Sequence, residues 1–488
     1  MDTLFTKRNT IIAVALLILW KMYLSATLEL HPDEAYYWMW SRRLDYGYFD
    51  HAPLIAWAIR LTTLFSQQEM WVRFTGILGT LVTSVTAWVL AMQMFHDKKI
   101  ASASVLTLNV LPLTLAGSII ITPDIPAFLF WGLAIYLSWQ IFATQKVGYW
   151  YLLGVAFGLS LLSKYTGVLL APCLLLFMLF TDERRWLKTI HPYASFLLGF
   201  VFFLPVLYWN SEHHWASFAY QLGHGLGGAQ YSLGKVLTYA GGQMLVASPF
   251  IWLFGMYASI LYLFRRNKQT LFLTLTSLPI IFFFAYSSLK HTAEANWPAC
   301  AYFSFSILVS YYLLNGGKIK KYLLNFAVLF SLIFSLTAML HARFGILPLE
   351  KISKDAAKAD ATQFFYGWRE LGKELEKDPS VKFAIADSHQ VGAEISYYTK
   401  ERIFAYADYA NTKVSQFNLW PFPDELRDKS GVAVYVEGRT PLPVSNYFVS
   451  TGTASQLTVR RDGAVVRTYN IVHGTGYKYP PSPMLGHR

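Results

Sequence analysis

The sequence predicts an α-helical protein that crosses a membrane many times and ends in a small α/β domain outside the bilayer. Three observations carry that expectation. Of 488 residues, 54% are hydrophobic, 17% aromatic and only 14% charged, where soluble domains carry about a quarter charged residues, and the mean hydropathy is +0.34. The apolar stretches are long and continuous and do not alternate with period two, which selects helices over a barrel. After about residue 341 charges rise and short alternating segments replace the apolar runs.

The spans follow in order. Candidate helices run over roughly 10–28, 72–95, 100–119, 125–143, 150–162, 167–180, 192–209, 240–264, 270–287, 298–314 and 321–340, about eleven in all. The pieces 150–162 and 167–180 are short and flank a polar break, Lys164-Tyr165-Thr166-Gly167. The apolar stretch 53–66 is too short to cross and follows a belt of aromatics, so it reads as an interfacial helix. The first span has no small-residue cleavage site and is expected to stay as an anchor. Cys173 and Cys300 both fall in apolar segments and read as small buried hydrophobes, not a disulfide.

Orientation follows from the basic loops. With the N-terminus inside, Lys7-Arg8, Lys98-Lys99, Lys146, Arg184-Arg185 with Lys188, Arg265-Arg266 with Lys268, and Lys318 with Lys320-Lys321 all fall on the cytoplasmic side. The opposite side receives the 29–71 loop, the Thr122-Pro123-Asp124 turn, the Lys164 break, the 210–239 and 288–297 loops, and everything after about 341. Reading 150–180 as a single span would invert everything downstream and scatter these polar segments, so two spans or a re-entrant pair are expected. The net charge of +12 lies largely in short connectors, where topology accounts for it, and no nucleic-acid partner is expected.

In the tail, Lys382–Ala386 and Gly431–Val436 read as strands, Val391–Tyr398 as a helix and Gly367–Lys377 as an amphipathic helix. The division expected is 1–340 for the membrane domain, including the first loop and interfacial helices at 29–71, and 341–488 for a soluble α/β domain whose last dozen residues are disordered.

The residues able to carry chemistry sit on the non-cytoplasmic face. The stretch His31–Pro53 places Asp33-Glu34 where a membrane helix meets water, then Tyr36, Tyr37, Trp38 and Trp40, the pair Arg42-Arg43, and the step Asp50-His51. A carboxylate beside low-dielectric lipid can serve as a general base; the alternative is a helix cap, since Pro32-Asp33-Glu34 is also a good helix start. Asp124 lies at the mouth of a helix and is open to the same two readings. Arg42, Arg43, His51, Arg73, Lys164, Lys290 and His291 supply cations. Lys164 and Lys290 are embedded between apolar segments, where a cation needs a counter-charge such as a lipid phosphate, or else snorkels to the interface. The 210–239 loop holds His213, His214, His224 and a glycine-rich step that suits a lid. The His213-His214 pair raises a divalent metal as the one cofactor to consider, although adjacent histidines are a weak ligand spacing. The 290–297 segment adds Glu294 and, as sugar contacts, Asn296-Trp297. The chain has no P-loop, G-x-G-x-x-G, H-E-x-x-H or G-x-S-x-G, so neither nucleotide nor serine chemistry is indicated.

An apolar span, then Asp-Glu, an aromatic run, Arg, and Tyr48-Phe49-Asp50-His51-Ala52-Pro53-Leu54 resembles the GT-C membrane glycosyltransferases. The resemblance is to the bacterial branch related to the protein O-mannosyltransferases (glycosyltransferase family 39) and the lipid A aminoarabinose transferase (family 83). Thr122–Pro126 followed by Phe128–Trp131, Leu162–Gly167 and His291–Pro298 extend the likeness over about residues 10–340. It implies a GT-C fold of about 11–13 transmembrane helices and a multi-pass protein of the bacterial inner membrane with a periplasm-facing site. The donor would be a polyprenyl-phosphate-linked sugar, and the acceptor a lipid or glycolipid of the lipid A or lipopolysaccharide class, with protein hydroxyls second. It further implicates Asp33 in catalysis. The residues themselves then suggest Asp33 as base or orienting acid with Glu34 and Asp124 in support, Arg42, Arg43, His51, Lys164, Lys290 and His291 at the donor phosphate, and Tyr37, Asp50, His213, His224, Glu294 and Asn296 along the substrate. One departure stands out: the aminoarabinose transferases carry a lysine and two prolines where this chain has His51-Ala52-Pro53, so donor identity does not carry over. A transporter of an anionic polyprenyl lipid is the alternative from another class.

Overall fold

A computed structural model of the chain describes residues 4–117, 119–226, 231–265, 267–353, 359–407, 414–421, 423–461 and 463–478. Helix α1 (Lys7–Thr27) starts at Thr6, whose side chain accepts from the Asn9 amide. Helix α2 (Pro32–Arg42) starts in a capping box: His31 accepts from the Asp33 amide, while Glu34 accepts from the His31 amide. The short α3 (Leu54–Thr62) leaves Leu61, Leu64 and Phe65 exposed at its end, as an interfacial helix requires. The bundle continues with α4 (Phe74–Phe95), α5 (Lys98–Val110), α6 (Asp124–Thr144), α7 (Gly148–Ser163), α8 (Leu170–Leu179), α9 (His191–Glu212) and α10 (Ala216–Leu226). It closes with α11 (Leu233–Ala247), α12 (Pro249–Arg265), α13 (Lys268–Leu275), α14 (Leu278–Ser288), α15 (Ala301–Leu314) and α16 (Lys318–Phe344).

Six helices among the described residues are long and apolar enough to cross a bilayer, or eight if each of two bent pairs counts as one; α7 and α15 are shorter apolar helices. The sequence reading of 100–119 and 240–264 as unbroken spans is corrected. Leu111, before Pro112, is extended at ψ 136° and ends α5, because a following proline disfavours the helical region. Ser248, before Pro249, has a φ of 67°, and the chain bends by 109° between α11 and α12. Lys164 is extended between α7 and a 3-10 turn, so the polar break at 164–167 is a real interruption. Small residues let α7 and α9 pack closely: a Cβ on Gly199 would meet Phe157 at 2.4 Å. Large apolar side chains such as Leu16, Leu19, Leu197 and Phe264 face outward, toward the space lipid occupies. The chain is a multi-pass membrane protein.

After α16 the chain builds α17 (Trp368–Leu375), β1 (Phe383–Ala386), α18 (His389–Tyr398), β2 (Phe404–Ala407), β3 (Gly431–Val436), β4 (Phe448–Thr451), β5 (Ser455–Arg461) and β6 (Ala464–Tyr477). The sheet order is β2-β1-β3-β6-β4, with β5 also on β6. Strand β1 is parallel to β2 and β3, and β6 is antiparallel to β3, β4 and β5. This domain does not stand apart. Tyr36, Trp38, Trp40 and Ile59 of the first loop share one apolar cluster with Ala393, Tyr397, Ala407 and Phe417. The Leu30 amide donates to the Tyr398 hydroxyl at 2.8 Å, and the Tyr397 hydroxyl donates to the Gln67 carbonyl at 2.8 Å. The first loop is therefore clamped between the bundle and the sheet.

Candidate active site

The clamp encloses a cavity of about 960 Å³. Its polar lining includes Asp33, Tyr36 and Tyr37 of α2, Asp50 and His51 of the following turn, and Asp124 at the start of α6. Lys164 joins them from the break after α7, with Glu294, Asn296, His389 and Gln390. The same lining includes apolar side chains, Phe157, Leu161, Val168, Leu169, Phe200 and Phe203 among them. A wall that is both charged and apolar suits an amphiphile.

The three aspartates are held differently. Asp124 accepts from Lys164 Nζ at 2.7 Å and from Asn296 Nδ2 at 2.8 Å, and the ion pair is only 10% and 14% exposed. Asp50 accepts at Oδ2 from the Tyr36 hydroxyl at 2.6 Å, and that hydroxyl accepts from the Gln416 amide at 2.6 Å. Gln221 Nε2 donates to the Asp50 carbonyl and approaches His51 Nδ1. Asp33 accepts at Oδ1 from the neutral amide of Gln390 at 3.1 Å, and its side chain is 39% exposed. His31 Nδ1 lies 3.8 Å from Asp33 Oδ2 but already accepts the Asp33 amide proton, so it presents a lone pair to that oxygen, not a proton. Burial holds the His31 imidazole below its ordinary pKa, in keeping with a neutral ring. Asp33 thus meets a neutral amide and not a fixed cation in these contacts, and it stays open to the cavity. The three carboxylates converge on Tyr37, whose phenol is pushed well above its ordinary pKa, first by burial and then by Asp33, Asp50 and Asp124. Tyr37 stays protonated, with a hydroxyl proton to donate.

Several residues expected at this site lie elsewhere. Glu34 is fully buried against Arg73, accepts from the Ile121 amide and does not line the cavity. Its position makes it part of the framework, because a buried carboxylate needs a charge partner. Arg42 pairs with Glu401 at 2.9 Å, and Arg43 stacks 4.6 Å over Trp420, so both join the first loop to the sheet domain. His213 stacks on Trp209 at 4.0 Å. Lys290 Nζ sits 5.1 Å over Tyr231, and His291 Nε2 is buried with no hydrogen-bond partner among the described residues. Neither lines the cavity. His224 falls in α10, but its side chain lies outside the described residues. Among the described residues no group of three or more His, Cys, Asp or Glu side chains is arranged to hold a metal.

Three residues that sequence reasoning missed come from the tail: His389, Gln390 and Gln416. His389 and Gln390 open α18 directly after β1, at the carboxyl ends of parallel strands, where open α/β sheets place their sites. That strand-to-helix step was visible in the sequence; its direction toward the membrane loop was not.

Known proteins resemble this arrangement. A sequence model of the family described as dolichyl-phosphate-mannose-protein mannosyltransferase matches residues 50–209. The chain is 25% identical over 432 residues to the lipid A galacturonosyltransferase RgtD of Rhizobium johnstonii, covering 82% of this chain and 85% of that protein. Its fold matches the crystal structure of ArnT from Cupriavidus metallidurans bound to undecaprenyl phosphate with a TM-score of 0.67 at 13% identity, over 95% of this chain and 97% of that one. The apo form of the same protein gives 0.65 at 15% identity, over 95% and 96%.

Proposed function

We propose that the chain, which resembles the GT-C membrane glycosyltransferases in sequence and fold, moves a sugar from a polyprenyl phosphate to a lipid A or lipopolysaccharide acceptor at the periplasmic face of the bacterial inner membrane. The observation that carries this reading is the mixed lining of one cavity: three aspartates and Lys164 together with apolar side chains such as Phe157, Leu161, Phe200 and Phe203. In this reading the apolar side chains take the polyprenyl chain and the charged ones meet its sugar phosphate. The relative named for lipid A galacturonosyl transfer supports the acceptor class. The match to protein mannosyltransferases supports protein hydroxyls as the second acceptor class.

The reaction is a single inverting displacement. An acceptor oxygen attacks the anomeric carbon, the bond from that carbon to the phosphate oxygen breaks, and polyprenyl phosphate leaves. Asp33 takes the proton when the acceptor is a hydroxyl and orients it when the acceptor is a phosphate. Lys164 and His51 stabilise the charge that grows on the leaving phosphate. Asp124 aligns Lys164, Tyr37 and Asp50 contact the sugar with Glu294 and Asn296, and the sheet domain that follows α16 adds His389 and Gln390 to the cavity wall.

Purified protein in nanodiscs, given polyprenyl-phosphate-linked galacturonic acid and lipid A, should release polyprenyl phosphate and add the sugar mass to lipid A. A panel of other sugars on the same carrier identifies the donor, and a protein acceptor arm tests the second class. Movement of the lipid across the bilayer with no bond cleavage for any donor contradicts the reading and favours transport.

A further inference from the structure

We infer that the C-terminal sheet domain sets the geometry of the catalytic carboxylates, with Gln390 as the positioning residue of Asp33 and Gln416 as that of Asp50. The inference rests on the reading of Asp33 as the acting acid.

Two separate contacts carry it. Gln390 Nε2 donates to Asp33 Oδ1 at 3.1 Å. The Gln416 amide donates to the Tyr36 hydroxyl, which donates on to Asp50 Oδ2, and Gln416 Oε1 accepts from the Phe49 amide at 2.7 Å. Both first-loop acids are thus fixed by residues more than 350 positions away along the chain. The start of α18 behind Gln390 is tied to the sheet by hydrogen bonds. Asp387, 2% exposed, accepts from the Val436 amide at 2.9 Å and from Arg439 at 3.1 Å, and Arg439 also donates to Ser388, the N-cap of α18.

A carboxylate's terminal torsion is broad, and Asp33 is more exposed than Asp124, 39% against 14%. A neutral amide is suited to holding it: the bond fixes one oxygen without cancelling the charge, as Lys164 does on Asp124. The second oxygen lies 3.8 Å from His31 Nδ1, and the residue lines the cavity. Losing that anchor misplaces a reacting group, an error that costs on the order of 100-fold for about 1 Å.

Gln390→Met keeps the side-chain length and removes the donor. In full-length protein it should lower kcat by about 10- to 100-fold, with KM for the donor lipid and the thermal midpoint unchanged. Gln390→Glu should lose activity at high pH, where its carboxylate repels Asp33. It should regain activity relative to wild type as pH falls and its protonated form donates the same bond, a dependence that a purely structural role would not give. Carbodiimide labelling of Asp33, mapped by mass spectrometry with Asp182 as reference, needs no turnover and should run faster in Gln390→Met than in wild type. A kcat at the wild-type level together with unchanged labelling overturns the inference. Absent turnover in wild type with every donor overturns the proposed function instead, and the labelling then decides the positioning role alone.

Discussion

Arg73 and Glu34 form an ion pair of 2.6 Å in which neither side chain has any exposure. Arg73 also donates to the carbonyls of Ser25, Leu28 and Glu29, so the pair ties the end of α1 to the start of α2. Asp33, the preceding residue in the chain, is by contrast open to the cavity. A single residue step, about 100° around the helix, thus separates the acid that holds the loop in place from the acid available for chemistry.

Glu34→Ala should therefore act on folding more than on catalysis. It strands the Arg73 charge in a dry site, a loss of about 3–5 kcal/mol. Thermal unfolding in detergent checks this, and a stability close to wild type with transfer abolished would assign Glu34 to chemistry after all.

Lys164 and Asp124 should behave as one unit. Lys164→Met and Asp124→Asn should each lower kcat/KM, and the double variant should lose less than the two together, with a coupling of about 1–3 kcal/mol. Simple additivity of the two losses would show that the 2.7 Å pair does not act jointly.

Glu394 predicts a pH effect on stability. Both of its carboxylate oxygens are buried with no hydrogen-bond partner among the described residues. Burial, then the charges of Glu29 and Glu34, hold its pKa well above the ordinary range. The folded state keeps this proton while the unfolded chain releases it above about pH 4.3. The unfolded state then binds fewer protons, so stability falls as pH rises, by up to about 1.4 kcal/mol per pH unit from this group. Glu394→Gln removes that slope. Its thermal midpoint relative to wild type should climb between pH 5 and 8, and a constant difference would contradict the assignment.

His51 should act on donor binding. His51→Ala should raise KM for the donor lipid, while His51→Lys, which restores a fixed cation, should not. Equal KM values in wild type and His51→Ala would remove His51 from the phosphate.

Much of this was legible in the sequence, for physical reasons. Long apolar runs, their basic connectors and the polar break at Lys164 follow from what a bilayer tolerates, and they gathered Asp33, Asp124 and Lys164 on one face. The strands at 383–386 and 431–436 followed from local composition. Residues whose roles depend on distant partners were not legible. Arg42, Arg43 and Glu34 read as site residues because they adjoin Asp33, yet Glu401, Trp420 and Arg73 engage them. Gln390 and Gln416 carried no motif, since their meaning comes from the docking of the sheet on the first loop. The bends at Leu111 and Ser248 were signalled by the prolines that follow them, but hydropathy averaged across both.

The most direct test of the central claim is the release of polyprenyl phosphate by Asp33→Asn, measured beside wild type with the same donor and lipid A. The substitution keeps the size of the side chain and removes its charge from an open position, so the protein should stay folded, with an unchanged thermal midpoint, and release should be abolished. Release at a near-wild-type rate from the folded variant would contradict the account.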